Sequence, residues 1–498
     1  MKIRTGIATI LAAAMLFAGC RPTVSEGPSS EEGEGVTPYQ EFNTSFYNPL
    51  KVDYMLGDPW MVKKDDMYYF SMSGGDHVKV TRVTGITSLM ACEEDSKTIF
   101  LGAKEGLTDL WASELHFYQG KWYCFFAADI NYDNNLHRMY LLRSQTDDPM
   151  GDWDYMGQMP LPDGQWAIDG TFYEHKDGRI FLIWSGWRSE LEGSSLWKQY
   201  LYITELAKGD PTTVIGTERV KISTPEHYWE ISSLPQNEGP AMVTSPKGTV
   251  YCVYSANFSG SNFYALGALR LIGDDPAKAE SWEKLPEPIL STDEDKQVYS
   301  PGHPSFTKSP DGTEDWIIYH ANKAKDSGWD RSARAQKVEW IDDIPHISGG
   351  KPESINSPQP LPSGEIVDRI SIEMEDGVLS AGTKLVEYPD VGKAVHFDGL
   401  KESAVISVSV KQEGRYALWI RHNNERDESG VWVAVGNASK KRVKASFSGG
   451  KGLFTMTCTT VELQKGLNTI AISAGSDVEV DRLILDRHPM AAAPADYS

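Results

Sequence analysis

Between Gly57 and Ala321 one arrangement of polar and apolar positions recurs five times: "GDPWMVKKDDMYYFSMS" from Gly57, "ASELHFYQGKWYCFFAA" from Ala112, "IDGTFYEHKDGRIFLIWSG" from Ile168, "LPQNEGPAMVTSPKGTVYCVYSA" from Leu234 and "GHPSFTKSPDGTEDWIIYHA" from Gly302. Each unit runs from a polar anchor through a short apolar strand and a Gly or Asp turn to an apolar-aromatic strand ending in small or polar residues. Aligned on Ser73, Ala128, Gly186, Ala256 and Ala321, the units recur at intervals of roughly sixty residues, longer than but akin to propeller blades. Helical periodicity is almost absent between them, so the pattern predicts an all-β chain with a five-bladed β-propeller over residues 45–347. A sandwich of look-alike hairpins is the alternative, and repetition of the whole unit argues against it. Residues 348–365, rich in Pro, Gly and Ser, read as a linker. From 366 to 488 short alternating strands with polar turns predict a β-sandwich (jelly roll), followed by a tail over 489–498.

The amino terminus changes the picture from a cytosolic to an exported protein. Lys2 and Arg4 precede an apolar stretch from Ile7 to Ala18, too short and wrongly flanked for a membrane span, so residues 1–20 read as a signal peptide. "LFAGC" resembles a bacterial lipobox with Leu16 one place early, which implies lipidation at Cys20; simple cleavage near Ala18 is the alternative. Residues 21–44, Pro/Gly/Ser/Glu-rich and without periodicity, read as a flexible tether. The expected location is the cell envelope, on a lipid anchor facing the periplasm or the outside. Cys92, Cys124, Cys252 and Cys458 are scattered and read as buried thiols outside any disulfide framework. With Lys+Arg 48 against Asp+Glu 70, the net charge of −22 disfavours nucleic acid and anionic membrane surfaces as partners and leaves neutral polysaccharide open.

The anchors carry the candidate chemistry. Asp58, Glu114, Asp169, Glu238 and His303 open the five units, and in a propeller the starts of the innermost strands converge on one mouth of the central channel. Hydrolysis of a glycosidic bond needs a carboxylic acid to protonate the leaving oxygen and a carboxylate to activate water or attack the sugar. A third carboxylate nearby raises the acid's pKa by like-charge repulsion. Asp before Pro, Asp-Gly and Gly-Pro are also ordinary turn signals, and it is their recurrence at one repeat position that favours function.

The motifs "GDPWMV", "LWASELHFYQGKWY", "WAIDGTFYE", "IWSGW", "NEGPAM" and "SPGHPSFTKSPDG", in this order from about Asn48 to Ile344, resemble those of glycoside hydrolase family 43. The resemblance implies a five-bladed propeller enzyme on arabinose- and xylose-containing glycans. It makes Asp58 the general base, Asp169 the residue that tunes and orients the acid, and Glu238 the general acid. It implies inversion, with base and acid about 6.5–9.5 Å apart. His303 matches the family's axial histidine, beside which a calcium or other cation is often held; a satisfied polar histidine is the alternative. Ser300 and Ser113 stand where the family commonly has glycine and proline, and Glu114 becomes a channel-lining residue with a structural or a substrate-contacting role. The stretches "NLHRMYLLRS", "YWEISSLPQNEGP" and "RSARAQKVEW" look most like the exo-acting α-L-arabinofuranosidase branch. Trp111, Trp166 and Trp187 are candidates to stack on sugar rings or to fill the core, and Arg331 or Arg334 to hydrogen-bond the terminal sugar. "IEMEDG", "GRYALWIRHNN" and "VDRLILD" resemble carbohydrate-binding modules of families 6 and 35, which implies a structural calcium on Glu373, Glu375 and Asp481; outward-facing charges on a strand are the alternative. The expected activity is release of terminal α-L-arabinofuranosyl units from plant polysaccharide without an organic cofactor. A β-D-xylosidase or a non-catalytic glycan-binding lipoprotein are the other readings.

Overall fold

The five repeated units form five separate antiparallel sheets, each built from strands consecutive in the chain. In the computed structural model the described residues are 39–51, 57–90, 95–187, 198–426 and 429–487. The first strands of the five sheets are Trp60–Lys64, Thr108–Tyr118, Ala167–Glu174, Asn237–Thr244 and Tyr299–Lys308. Each touches the first strand of the next sheet, and the fifth touches the first, so the series closes on itself. Ser305 pins that closure: its hydroxyl accepts from Met61 N–H at 3.1 Å and donates to the Pro59 carbonyl at 3.0 Å.

The continuous apolar runs at the centre of each sheet follow from this closure. Strand Ile180–Gly186 is buried along its whole length. Because side chains alternate faces, Ile180, Leu182 and Trp184 join a core with Phe125 and Leu141 of sheet two, while Phe181 and Ile183 join Cys252 and Tyr254 of sheet four. A strand clothed by neighbours on both faces needs apolar residues at every position, each burial contributing about 1.5–3 kcal/mol.

Two further sheets, of seven and five strands, follow and share one apolar core. An outer strand such as Ala404–Val410 buries one face, with Ser407 and Ser409 alternating with buried Ile406 and Val408, whereas Gly414–Asn424 is buried on both. A separate apolar cluster joins these sheets to the first five, uniting Phe70 and Trp316 with Trp419, Met456 and Ile484. Trp419 Nε1 donates to the Met90 carbonyl at 3.1 Å, and Arg369 Nη2 donates to Thr87 Oγ1 at 3.0 Å.

Three expectations change here. The tether expected through residue 44 contains a strand, Gln40–Glu41, which pairs with Ser371 and Ile370 and takes up backbone groups that a sheet edge would leave open. The expected linker is tied down as well: Asn356 Nδ2 donates to the Gly452 carbonyl at 2.8 Å, and its Oδ1 accepts from Phe454 N–H at 3.0 Å. Cys458 is disulfide-bonded rather than a free thiol, whereas Cys124 and Cys252 are free and buried. The signal peptide with Cys20, most of the tether and the tail over 489–498 lie outside the described residues.

Trp419, 2% exposed and wedged at the shared cluster, is the sensitive point of the seam. Trp419→Ala is expected to cost roughly 3–5 kcal/mol, measured by urea unfolding, with calorimetry of the parent showing one cooperative transition. Two well-separated transitions in the parent would contradict a shared core.

Candidate active site

Each first strand breaks register near its start. In sheet four the pairs Glu238↔Ser255 and Ala241↔Val253 leave Gly239 and Pro240 opposite one residue, Tyr254. The same extra residue occurs at Ala112-Ser113, Asp169-Gly170 and His303-Pro304, and Asp58-Pro59 lies at the matching place before Trp60↔Ser71. Asp58, Ala112, Asp169, Gly239 and His303 all have left-handed backbones, with φ of 55°, 46°, 56°, 54° and 50°. These are β-bulges, which bend a strand and re-aim its side chains. They correct the repeat alignment read from sequence: Glu238 stands one residue before its bulge and Glu114 two residues beyond the left-handed position, so neither is equivalent to Asp58. At Gly239 the requirement for glycine is double, since a Cβ would stand 3.0 Å from His303 Nδ1 at a φ of +54°.

The bulges bring three carboxyl groups and a histidine together. Asp58 Oδ1 lies 3.1 Å from His303 Nδ1 and 3.5 Å from Arg331 Nη1. Its Oδ2 accepts from the Ser73 hydroxyl, whose oxygen in turn accepts from Ala112 N–H at 2.8 Å. The Asp58 N–H donates to His320 Nδ1 at 3.2 Å. Burial would raise the Asp58 pKa, but the His303 and Arg331 charges outweigh it and hold the group well below the ordinary carboxylate value. Burial opposes the proton on His303, yet Asp58 first, then Asp169, raise that ring to about 9. His320 is driven well below its ordinary value by burial and by Arg331, so it stays neutral.

Glu238 has the opposite environment. Its Oε1 accepts from the Tyr264 hydroxyl at 2.8 Å, and the Tyr264 ring stacks on His320 at 5.7 Å and 5°. Burial, then repulsion from Asp169, pushes Glu238 up to about 8. Asp169 Oδ2 accepts from Gly239 N–H at 3.0 Å, and burial lifts its pKa to about 6, with His303 lowering and Asp58 raising it. At neutral pH the cluster therefore holds an ionised carboxylate and a protonated carboxyl with a third acid coupled to both. That is the division of labour that acid-assisted attack of water on an acetal requires.

The remaining candidates divide. Glu114 Oε2 sits 3.0 Å from His116 Nε2; burial raises Glu114 well above the usual range and lowers His116 to about 3, making a neutral buried pair. Trp111 stacks on His137 at 3.9 Å. Trp166 and Trp187 stack on each other at 4.3 Å and 1°, each 4% exposed, so their faces are spent on the core rather than open to a sugar. Arg331 reaches Asp58, but Arg334 does not share its direction: residues three apart on a strand point to opposite faces, and Arg334 Nη2 donates to the Glu353 carbonyl. Ser73, Tyr264 and His320 were not singled out from sequence. His320 had a readable signal, a polar residue in the apolar run "WIIYHA", and Ser73 ends an aligned repeat; Tyr264 had none.

The metal expectations meet the same test. His303 Nδ1 faces Asp58 Oδ1 at 3.1 Å, so that nitrogen is engaged in the ion pair. Asp481 Oδ2 takes Arg421 Nη1 at 2.6 Å and Arg482 Nε at 2.8 Å, and Glu373 Oε1 takes Arg482 Nη2 at 3.0 Å. Asp481 Oδ1 and Glu375 Oε2 are buried without partners, the kind of hard oxygen that calcium takes alongside backbone carbonyls and water. Among the described residues no three His, Cys, Asp or Glu side chains gather as a metal site. Arg421 and Arg482 neutralise part of this cluster, and Glu375 Oε2 and Asp481 Oδ1 are the atoms that would meet a calcium ion.

The family described as glycosyl hydrolases family 43 matches residues 46–345, the span of all five sheets. This chain belongs to glycosyl hydrolase family 43. The family 43 chain is 32% identical over 376 residues to an extracellular exo-α-(1→5)-L-arabinofuranosidase of Streptomyces avermitilis, covering 72% of this chain and 73% of that one. Among solved structures, an α-L-arabinofuranosidase from Lactobacillus brevis is 28% identical with a TM-score of 0.55, over 63% of this chain and 98% of that one. An exo-β-1,3-galactanase from Phanerochaete chrysosporium, 13% identical with a TM-score of 0.53, covers 90% of this chain and all of its own length, a likeness of fold alone. These relationships make the family 43 chain an inverting glycoside hydrolase whose five-sheet region has a propeller architecture.

The His303 charge predicts a stability profile. A pKa raised from about 6.5 unfolded to about 9 folded contributes stability that is complete below pH ~6.5 and lost as pH rises through ~9. Urea unfolding between pH about 6 and 10 should show a steeper loss in the parent than in His303→Gln. Equal slopes would contradict the ion pair.

Proposed function

We propose that this chain is an exo-acting α-L-arabinofuranosidase that inverts configuration, with Asp58 as general base, Glu238 as general acid and Asp169 as the group that keeps Glu238 protonated. The observation that carries this reading is the opposed tuning of Asp58 and Glu238 within one cluster. Asp58 takes a proton from water as the water oxygen bonds to the anomeric carbon; Glu238 gives its proton to the glycosidic oxygen as that carbon–oxygen bond breaks. Solvent then returns both groups to their starting states. The substrate assignment rests on the relatives named as arabinofuranosidases, among them enzymes of Streptomyces avermitilis and Streptomyces chartreusis, and plant arabinan or a related polysaccharide is the partner proposed. The name "extracellular" carried by both supports export, in keeping with the amino-terminal signal and a lipid on Cys20. The five sheets are read as five propeller blades, and the two sheets after them as a sandwich like that of carbohydrate-binding modules.

Glu238→Gln and Asp58→Asn are each expected to lower kcat by roughly 10²–10⁴ while leaving the fold intact by circular dichroism. Asp169→Asn removes the like charge beside Glu238, so the alkaline limb of kcat/KM should move to lower pH. Proton NMR of an aryl α-L-arabinofuranoside during turnover should show β-L-arabinofuranose first. The α anomer first would overturn the mechanism, and turnover of the aryl β-D-xylopyranoside alone would overturn the substrate.

A further inference from the structure

Trp329 is 46% exposed, an unusual setting for the largest apolar side chain, and it is held in place rather than loose. Its Nε1 donates to Ser259 Oγ at 3.1 Å, and its ring meets Phe258 at 5.4 Å and 83°. The two loops that carry these rings are tied by a reciprocal pair: Asn262 Nδ2 donates to Asp326 Oδ1 at 2.6 Å, and Asp326 N–H donates to Asn262 Oδ1 at 2.9 Å. A fixed, half-exposed indole offers a large contact area with little ordering left to do when a ligand arrives.

Its place in the chain says which part of a ligand it meets. The loop bearing Phe258 runs directly into Tyr264, which donates to Glu238, and the loop bearing Trp329 runs two residues on into Arg331, which reaches Asp58. Both loops leave their sheets at the end where the bulged carboxylates gather, since Ser255 pairs with Glu238 and Asn322 pairs with Tyr299 and Arg331. The rim they build therefore stands at the same end of sheets four and five as Glu238 and Asp58, and an acid at Glu238 would protonate the oxygen of the leaving sugar on that side. Sugars present flat apolar patches of ring C–H bonds, which suit an aromatic surface with its polar edge already satisfied.

We propose that Trp329, backed by Phe258, is the platform for the sugar next to the one removed, so that it sets the preference for a glycan chain over a small leaving group. The inference rests on the exo-arabinofuranosidase reading and adds a specificity residue outside the acid and base. The test compares kcat/KM on an α-1,5-linked arabinotriose with that on α-L-arabinofuranosyl fluoride, whose leaving group carries no sugar. In Trp329→Ala the triose-to-fluoride ratio should fall about tenfold, mainly through KM, and Trp329→Phe should recover part of it. An unchanged ratio overturns the platform, including the case in which both substrates fall together because the loop merely braces Arg331. Parent enzyme that turns over neither arabinoside defeats the substrate reading instead, and the same ratio measured on xylotriose and xylosyl fluoride then decides the platform.

Discussion

The ion pair between Asp58 and His303 is the constraint on which the site depends. A carboxylate taken out of water gains a proton unless a cation compensates it, and here the imidazolium at 3.1 Å and the Arg331 guanidinium supply that compensation. Two cations sustain little more than two anions, so a third acid in the same throat keeps its proton. Glu238 is that acid because burial and then repulsion from Asp169 raise it, and the hydrogen bond from the neutral Tyr264 hydroxyl offsets only part of that. The difference in protonation between Asp58 and Glu238 thus lies in their surroundings, not in the side chains as such.

Those partners meet because every sheet carries a bulge at the same height and the sheets close in a ring. His303 comes from sheet five, Asp58 stands at the head of sheet one, and the hydroxyl of Ser305, two residues after His303, binds the Pro59 carbonyl and the Met61 N–H. Closure is therefore enforced within a few residues of the ion pair. The carboxy-terminal sheets add to this frame from outside: they share Trp316 and Phe70 with sheets five and one through Trp419 and Met456, so they move with the catalytic region rather than on a flexible leash.

The sheets were legible in the sequence because a strand covered on both faces leaves an unbroken apolar run, as in "IFLIWSG", and five such runs at similar spacing admit few arrangements. Asp58 and Asp169 were legible for a different reason, as polar residues entering such a run. The bulge was not. Its signal, a left-handed residue before Pro or Gly, is the same as that of a turn, which is why Glu114 and Glu238 fell into one alignment with Asp58. Trp166 and Trp187 show a further limit: composition announces aromatic surface, and only packing tells whether two rings face a sugar or each other at 4.3 Å. Of the arginines on Asp481, Arg482 is its neighbour in the chain, while Arg421 was equally hidden, sixty residues away in sequence.

Direct titration of the carboxyl groups tests the central claim most closely. With ¹³C label on the Asp and Glu carboxyl carbons, and Asp58→Asn and Glu238→Gln used for assignment, NMR of the resting protein at pH 7 should show Glu238 protonated and Asp58 ionised. Glu238 should then lose its proton near pH 8. An ionised Glu238 beside a protonated Asp58 at pH 7 would contradict the account, because base and acid would then have exchanged the environments from which their roles are derived.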